Sequence, residues 1–338
     1  MKVNREKLLN QLDAVTPGLA AKEILQQSNC FVFQGGRVIT FNDEVSCSAA
    51  SPLEDIEGAI PAVKLLELLR KLPDDDIDIK EDGGKLFVKG KRWRATIRLE
   101  AEIALPVEGL EQPGKWKKLP EEFCKAVDLV RECAGVDQSQ FVLTCVNIHP
   151  KWVEACDQMQ MIRYSIKTGL DKPVLVRRDS LKGLSGLDAT EIAETENWLH
   201  FRNGDGVMFS CRRYMETYVF LDDVLEAKGK RTKLPKGLSE AVERAGIFAD
   251  DLVEKRVTVS LSDGKMQLSG SGDEGDYREL KRAEWTGGAV EFSTTPKLLI
   301  EVGKRADSCE VCEGKLKVAT DRWTYMVCTR AVEGDDDA

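Results

Sequence analysis

The chain repeats itself at a fixed interval, and that interval restricts its fold more than any local motif does. Short β-rich strands open at Gly36-Arg37-Val38-Ile39, Pro150-Lys151-Trp152-Val153 and Gly264-Lys265-Met266-Gln267, each 114 residues after the last. A helix-like stretch opens each copy, at Arg5–Leu12, Leu119–Val127 and Leu234–Val242. Pro120 and Pro235 are expected in the first helical turn, which tolerates proline. A second helix is expected at Pro61–Leu72, Val176–Leu184 and Pro296–Arg305. Hairpins follow, and Leu86 to Trp93, Leu199 to Gly206 and Leu316 to Trp323 are each seven residues apart. Three such copies predict an α+β chain of three similar domains, each with two helices on antiparallel sheets. Polar stretches at Glu111–Gly114 and Glu226–Lys230 place the boundaries at 1–112, 113–228 and 229–332. An acidic, disordered tail is expected at 333–338. Repeats of this kind stack into a curved or closed assembly with equivalent faces pointing the same way. Joining sheets across repeat boundaries would also cover their strand edges.

Composition removes several function classes. Hydrophobic residues make up 42% and charged ones 32%, enough to build cores. No apolar run approaches the ~20 residues of a spanning helix, and Met1–Lys7 lacks the apolar stretch of a secretion signal. A soluble cytoplasmic protein is expected, with its ten cysteines reduced. Cys309 and Cys312 have CxxC spacing, but they sit in a strand pattern with no second pair, and the chain has two histidines, His149 and His200. A zinc site needs about four convergent ligands, so no metal and no cofactor is expected. Gly270–Gly275 fits GxGxxG formally, yet Asp273, Glu274 and Asp276 crowd it and Tyr277–Leu280 reads as a strand, so it is read as a loop. No nucleophile–histidine arrangement or phosphate loop stands out, and a non-enzyme is expected.

Charge is sorted by helix. The net charge is −9, against a generally basic nucleic-acid binder. The second helices run the other way. Lys64, Arg70 and Lys71 face Glu67; Arg177, Arg178 and Lys182 face Asp179; Lys297, Lys304 and Arg305 face Glu301. Ordinary solvated helix faces would carry such charges too. Three equivalent helices of one sign in an acidic chain instead suggest a surface facing a polyanion, holding phosphates without reading bases.

The layout, together with Ile60-Pro61-Ala62-Val63-Lys64-Leu65-Leu66-Glu67-Leu68-Leu69-Arg70-Lys71-Leu72-Pro73, resembles the bacterial DNA polymerase III β sliding clamps. The resemblance covers the chain to about Val332. It implies two chains closing head to tail into a ring, each a half, with helices around double-stranded DNA and sheets outside. Lys22 falls where the family has a basic loop residue on the DNA. It joins Lys64, Arg70, Lys71, Arg177, Arg178, Lys182, Lys297, Lys304 and Arg305 as expected contacts. Leu68 and Leu72 are expected to meet the partner strand around Leu280, though they could equally be intramolecular core.

The family also implies a pocket for short hydrophobic motifs of a DNA polymerase and clamp loader. Here it would comprise Val142, Cys156, Met159, Met161, Val219, Val224 and a terminal strand of Cys328, Thr329, Arg330, Ala331 and Val332. The family's Thr-Asp-Gly-His-Arg-Leu run stands as Cys156–Met161, and Asp222-Asp223 replaces an Arg-Arg pair. These acids and the tail would make the rim negative. Such divergence would suit a clamp encoded by a phage or mobile element. A second reading is a clamp-fold repeat protein that binds only proteins and never loads on DNA.

Overall fold

The computed structural model describes residues 1–53, 55–107, 111–249 and 255–332; the tail at 333–338 lies outside them. Contacts divide the chain into two compact units. The first holds 1–132, 145–151 and 166–216; the second holds 133–144, 152–165 and 217 onward. The middle repeat contributes to both.

In the first unit, helices α1 (Arg5–Asp13) and α2 (Ala62–Lys71) pack together. Asn4 caps α1, its side chain accepting from the Lys7 amide at 3.0 Å. Ala62, Leu65, Leu66 and Leu69 form the buried stripe of α2 at helical spacing. Eight antiparallel strands run in the order Gly58–Pro61, Cys30–Gln34, Arg37–Phe41, Val45–Ala50, Met208–Arg212, Trp198–Arg202, Glu191–Glu194 and Lys117–Lys118. Val45–Ala50 comes from the first repeat and Met208–Arg212 from the second, so one ladder crosses the repeat boundary, with Cys47 opposite Phe209. A separate four-stranded sheet runs Lys2–Asn4, Asp76–Glu81, Lys85–Lys89, Arg94–Arg98. Helix α3 (Phe123–Arg131) buries Phe123 against Phe201, whose ring also meets Phe209.

The second unit repeats the plan. Six antiparallel strands run Trp152–Cys156, Gln160–Ser165, Trp323–Cys328, Lys315–Ala319, Ser308–Cys312 and Lys230–Lys233. Here the second repeat meets the third, with Met161 opposite Met326. A five-stranded sheet runs Gly275–Arg282, Lys265–Gly272, Val257–Ser262, Val290–Thr294, Arg330–Ala331. After the short α4 (Asp222–Leu225), helices α5 (Leu238–Phe248) and α6 (Pro296–Arg305) pack on each other, and α5 also lies on the Lys265–Gly272 strand. That strand alternates buried and open residues with period two, as a half-buried strand should.

Three expectations change. The Val176–Leu184 helix is instead a strand, Val174–Arg177, then a 3-10 turn, Ser180–Leu184. β-branched Val174 and Val176 favour the strand. Gly183 weakens a helix and lets the turn lie on Pro17, since a Cβ there would come within 2.4 Å of the proline ring. Pro120 and Pro235 lie ahead of α3 and α5, where the Pro120 carbonyl accepts from the Phe123 amide at 2.9 Å. The GxGxxG segment is a hairpin rather than a loop between elements. A Cβ on Gly270 would sit 1.9 Å from the Ala245 carbonyl oxygen of α5, so this glycine admits the helix to the sheet.

His200 is buried between Thr195 Oγ1 at 2.9 Å and Ser210 Oγ at 2.8 Å. Both histidine and serine are sealed from any substrate. Burial pushes the imidazole down to about 4. Its folded pKa lies below the ordinary value, so the neutral ring supports stability above pH ~6.5, and that support is lost as pH falls through about 4. Urea titrations between pH 7 and 4 should therefore show a falling midpoint that His200→Gln flattens. Phe201→Ala should cost about 3–5 kcal/mol by removing a fully buried ring, read as a lower urea midpoint with unchanged slope.

Candidate nucleic-acid interface and partner groove

The ten expected phosphate contacts differ in how far they are committed inside the protein. In the first unit, Lys22 is exposed on the loop after the Thr16–Gly18 turn, and Lys64, Arg70 and Lys71 lie on the open side of α2. Arg70 pairs with Asp13 at 2.7 Å, Lys64 with Glu67 at 3.7 Å and Lys182 with Asp179 at 2.8 Å. Arg177 closes a strand and pairs with Glu44 at 3.6 Å, and Arg178 reaches Glu132 at 3.8 Å. In the second unit, Lys297 and Lys304 are exposed on α6, Lys304 pairing with Glu301 at 3.1 Å. Arg305 is only 12% exposed, pairs with Glu301 at 3.5 Å and lies over the Tyr325 ring. Among the described residues, Lys22, Lys71 and Lys297 make no ion pair. These three are the cations most available to an external phosphate; Arg178 is turned to Glu132 beyond α3, and Arg305 to Glu301 and the Tyr325 ring.

The expected partner pocket falls entirely within the second unit. Cys156, Met161, Leu221 and Met326 form a buried apolar cluster, with Leu143, Tyr218, Val224, Leu225 and Ala227 packed against it. Its outer wall is the segment from Thr217 to Ala227, fastened at three points. The Cys156 amide donates to the Tyr218 hydroxyl at 2.9 Å. Arg163 donates to Asp222 at 2.6 Å and to Glu154 at 2.6 Å, with its guanidinium over Trp152. Lys317 Nζ donates to the Leu225 and Ala227 carbonyls, both at 2.9 Å. Beside the cluster runs an open groove of about 240 Å³, lined in part by Val136, Leu143 and Met159.

Met161 and Cys156 are therefore core residues under the wall, and Met159 is the one on the groove surface. Leu143, next to Val142, is the residue that packs on the cluster. Val219 and Phe220 stand out to solvent, Phe220 at 71%. The single terminal strand expected at Cys328–Val332 is divided. Cys328 ends one strand, its amide donating to the Met159 carbonyl at 2.8 Å. Thr329 binds Gly314, and Arg330–Ala331 pairs with Ser293 and Phe292 in the five-stranded sheet. Tyr218, Leu221 and Met326 were not expected here. Tyr218-Val219-Phe220-Leu221 is a four-residue apolar run that could have signalled the wall; Met326 carries no local signal.

Two further assignments concern chemistry. Burial pushes the Cys47 and Cys309 thiols up to about 12 and Cys30 to about 11. A thiol held that high carries almost no thiolate at neutral pH and is a poor nucleophile. The dimer candidates are placed as surface residues: Leu68 and Leu72 are half-buried on and just beyond α2, and Leu280 is 59% exposed on the outermost strand of the five-stranded sheet.

Arg163 offers a direct test of how the wall is held. The Glu154 carboxylate is nearly sealed from water, at 4% exposure. Arg163→Met should cost about 3–5 kcal/mol, because it takes the guanidinium away from that carboxylate, while adding Glu154→Leu should restore much of the loss. Chemical denaturation of the wild type, the single and the double variant checks this; equal stability of the single variant would contradict it.

No protein-family model matches this chain, and none of the curated proteins matches it in sequence. Solved structures do. The DNA polymerase III β subunit of Thermotoga maritima superposes with a TM-score of 0.85 at 16% identity, covering 98% of this chain and 99% of that one. The Bartonella birtlesii sliding clamp, solved with griselimycin, gives 0.85 at 15% identity with the same coverage. The Pseudomonas aeruginosa clamp, also with griselimycin, gives 0.84 at 19%, covering 98% and 99%. At these identities the likeness is one of fold, and it is nearly complete: this chain has the fold of the bacterial DNA polymerase III β sliding clamps.

Proposed function

We propose that the protein is a sliding clamp: a non-catalytic ring that encircles duplex DNA without sequence preference and tethers a replicative polymerase. The observation that carries this reading is the likeness to sliding clamps over 98% of the chain at TM-score 0.85. Its three domains would be 1–112, 113–228 and 229–332. No cofactor enters the function.

Closure would be head to tail between two chains. Each chain has an open strand edge at Arg94–Arg98 in one unit and at Gly275–Arg282 in the other. An open edge of eight residues is a template for pairing and an aggregation hazard unless covered. Pairing these edges between chains would place Leu280 at the joint and bring Leu68 and Leu72 of the partner's α2 toward it. Phosphates would be held first by Lys22, Lys71 and Lys297, then by Lys64, Arg70, Arg177, Lys182 and Lys304, with Arg178 and Arg305 behind them. Polymerase and loader would dock hydrophobic motifs in the second unit's groove.

Loading onto nicked circular duplex tests the whole reading. The protein should be retained there and lost when the circle is cut, as only topological linkage behaves that way. Lys71→Gln with Lys297→Gln should lower the slope of log K against log salt by about 0.9 for each phosphate contact removed. Leu280→Lys should sediment as a monomer at micromolar concentration and lose retention. Internal pairing of cations such as Arg70 with Asp13 favours the second reading, a clamp-fold protein that binds only proteins. Peptide binding without retention on the nicked circle would establish that reading.

A further inference from the structure

The groove in the second unit carries a charge pattern of its own. Besides Val136, Leu143 and Met159, its wall bears two carboxylates, Asp137 and Asp157, and no lysine or arginine lines it among the described residues. Asp137 accepts the Ser139 amide at 2.9 Å, which holds its carboxyl below the ordinary value, so it is ionised at neutral pH. Asp157 Oδ1 accepts the Met159 and Gln160 amides at 2.7 and 2.8 Å, and Oδ2 accepts Gln160 Nε2 at 3.1 Å. These bonds fix the turn that presents Met159, and they leave the negative charge unneutralised. Two cations near the groove wall, Arg163 and Lys317, are engaged elsewhere. Arg163 is held by Glu154 and Asp222, and Lys317 by two carbonyls. Lys315 is the ladder neighbour of Cys328 and lies near the groove, outside its lining.

Asp222 therefore contributes little to the sign of this groove; Asp137 and Asp157 set it. Val136 is 75% exposed and forms an apolar lip beside Asp137. An occupant must place apolar surface against Leu143, Met159 and Val136 while meeting two fixed negative charges. A partly desolvated cation opposite them gains more than it would in open water, and an acidic residue at the same place is repelled.

We infer that this groove takes a short peptide segment of a partner protein, with an apolar side chain seated on Leu143 and Met159 and a lysine or arginine set against Asp137 and Asp157. The inference rests on the proposed docking role of the groove and adds the charge of its ligand. A purely apolar segment would bind less tightly, and one with an acidic residue beside its anchor would be excluded.

Fluorescence anisotropy with the full chain tests it, using two labelled peptides that share two leucines and differ only in one lysine or glutamate beside them. The lysine peptide should bind about tenfold tighter at low salt. The two should converge near 1 M salt, where the Debye length is about 3 Å. Asp137→Asn should narrow the gap, and Asp137→Lys should close it. Met159→Ala should weaken both peptides, and Val136→Ser, at an exposed position, repeats that test without burdening the fold. Equal affinities at low salt would overturn the charge preference and leave the apolar groove standing. If neither peptide binds and neither apolar variant changes anything, the docking reading falls and this inference with it.

Discussion

The structure depends on strand pairing between segments far apart in the chain. Within the first unit, Val45–Ala50 pairs with Met208–Arg212, and within the second, Gln160–Ser165 pairs with Trp323–Cys328. Each ladder fixes register between segments about 160 residues apart in the sequence. A one-residue slip would turn Cys47, Phe209, Met161 and Met326 out of their cores, so burial specifies the pairing strongly. The helices add apolar faces to sheets already joined. The groove is built directly on the second of these joints, since Met161 and Met326 lie opposite each other beneath it.

Much of this was legible in the sequence, for a simple reason. A 114-residue interval between strand starts survives side-chain divergence, because the order and length of the elements ahead of those strands are kept while their side chains change. The spacing of Leu65, Leu66 and Leu69 likewise gave α2 directly. Reading failed where one repeat departs from the others. Val176–Leu184 occupies the position of a helix in its two counterparts, but Val174, Val176 and Gly183 favour a strand and a close turn. The groove was partly legible: Met159 was placed on it and Cys156, Met161 and Val224 beside it. Tyr218, Leu221 and Met326 were missed because they are assembled from segments far apart in the chain, where no local periodicity connects them.

Formal charge misleads in the same way. The α2 and α6 sequences carry the same excess of cations, yet Arg305 lies over Tyr325 against Glu301, whereas Lys71 and Lys297 stand free of ion pairs among the described residues. A pair with an exposed carboxylate is worth little, about 0–1 kcal/mol, and an incoming phosphate can displace it. A guanidinium that also stacks on a buried ring loses packing when it moves. The cations of one helix therefore belong to two classes, which only burial separates.

The groove wall is fastened to the sheet at three points. A segment such as Thr217–Ala227, with Val219 and Phe220 exposed, would cost each ligand the entropy of ordering it, about 0.5–1.5 kcal/mol for every side chain immobilised. Tyr218, Asp222 and the carbonyls of Leu225 and Ala227 are all bound to strands of the sheet. The ordering is complete before any partner arrives. Most of these bonds involve a charged group or a buried polar atom, which makes them costly to break rather than strongly stabilising in themselves. Such a wall is rigid without needing a larger apolar core. In the docking role proposed above, selectivity would come from a few fixed groups, Met159 and the two aspartates, since little binding energy would go into folding the site.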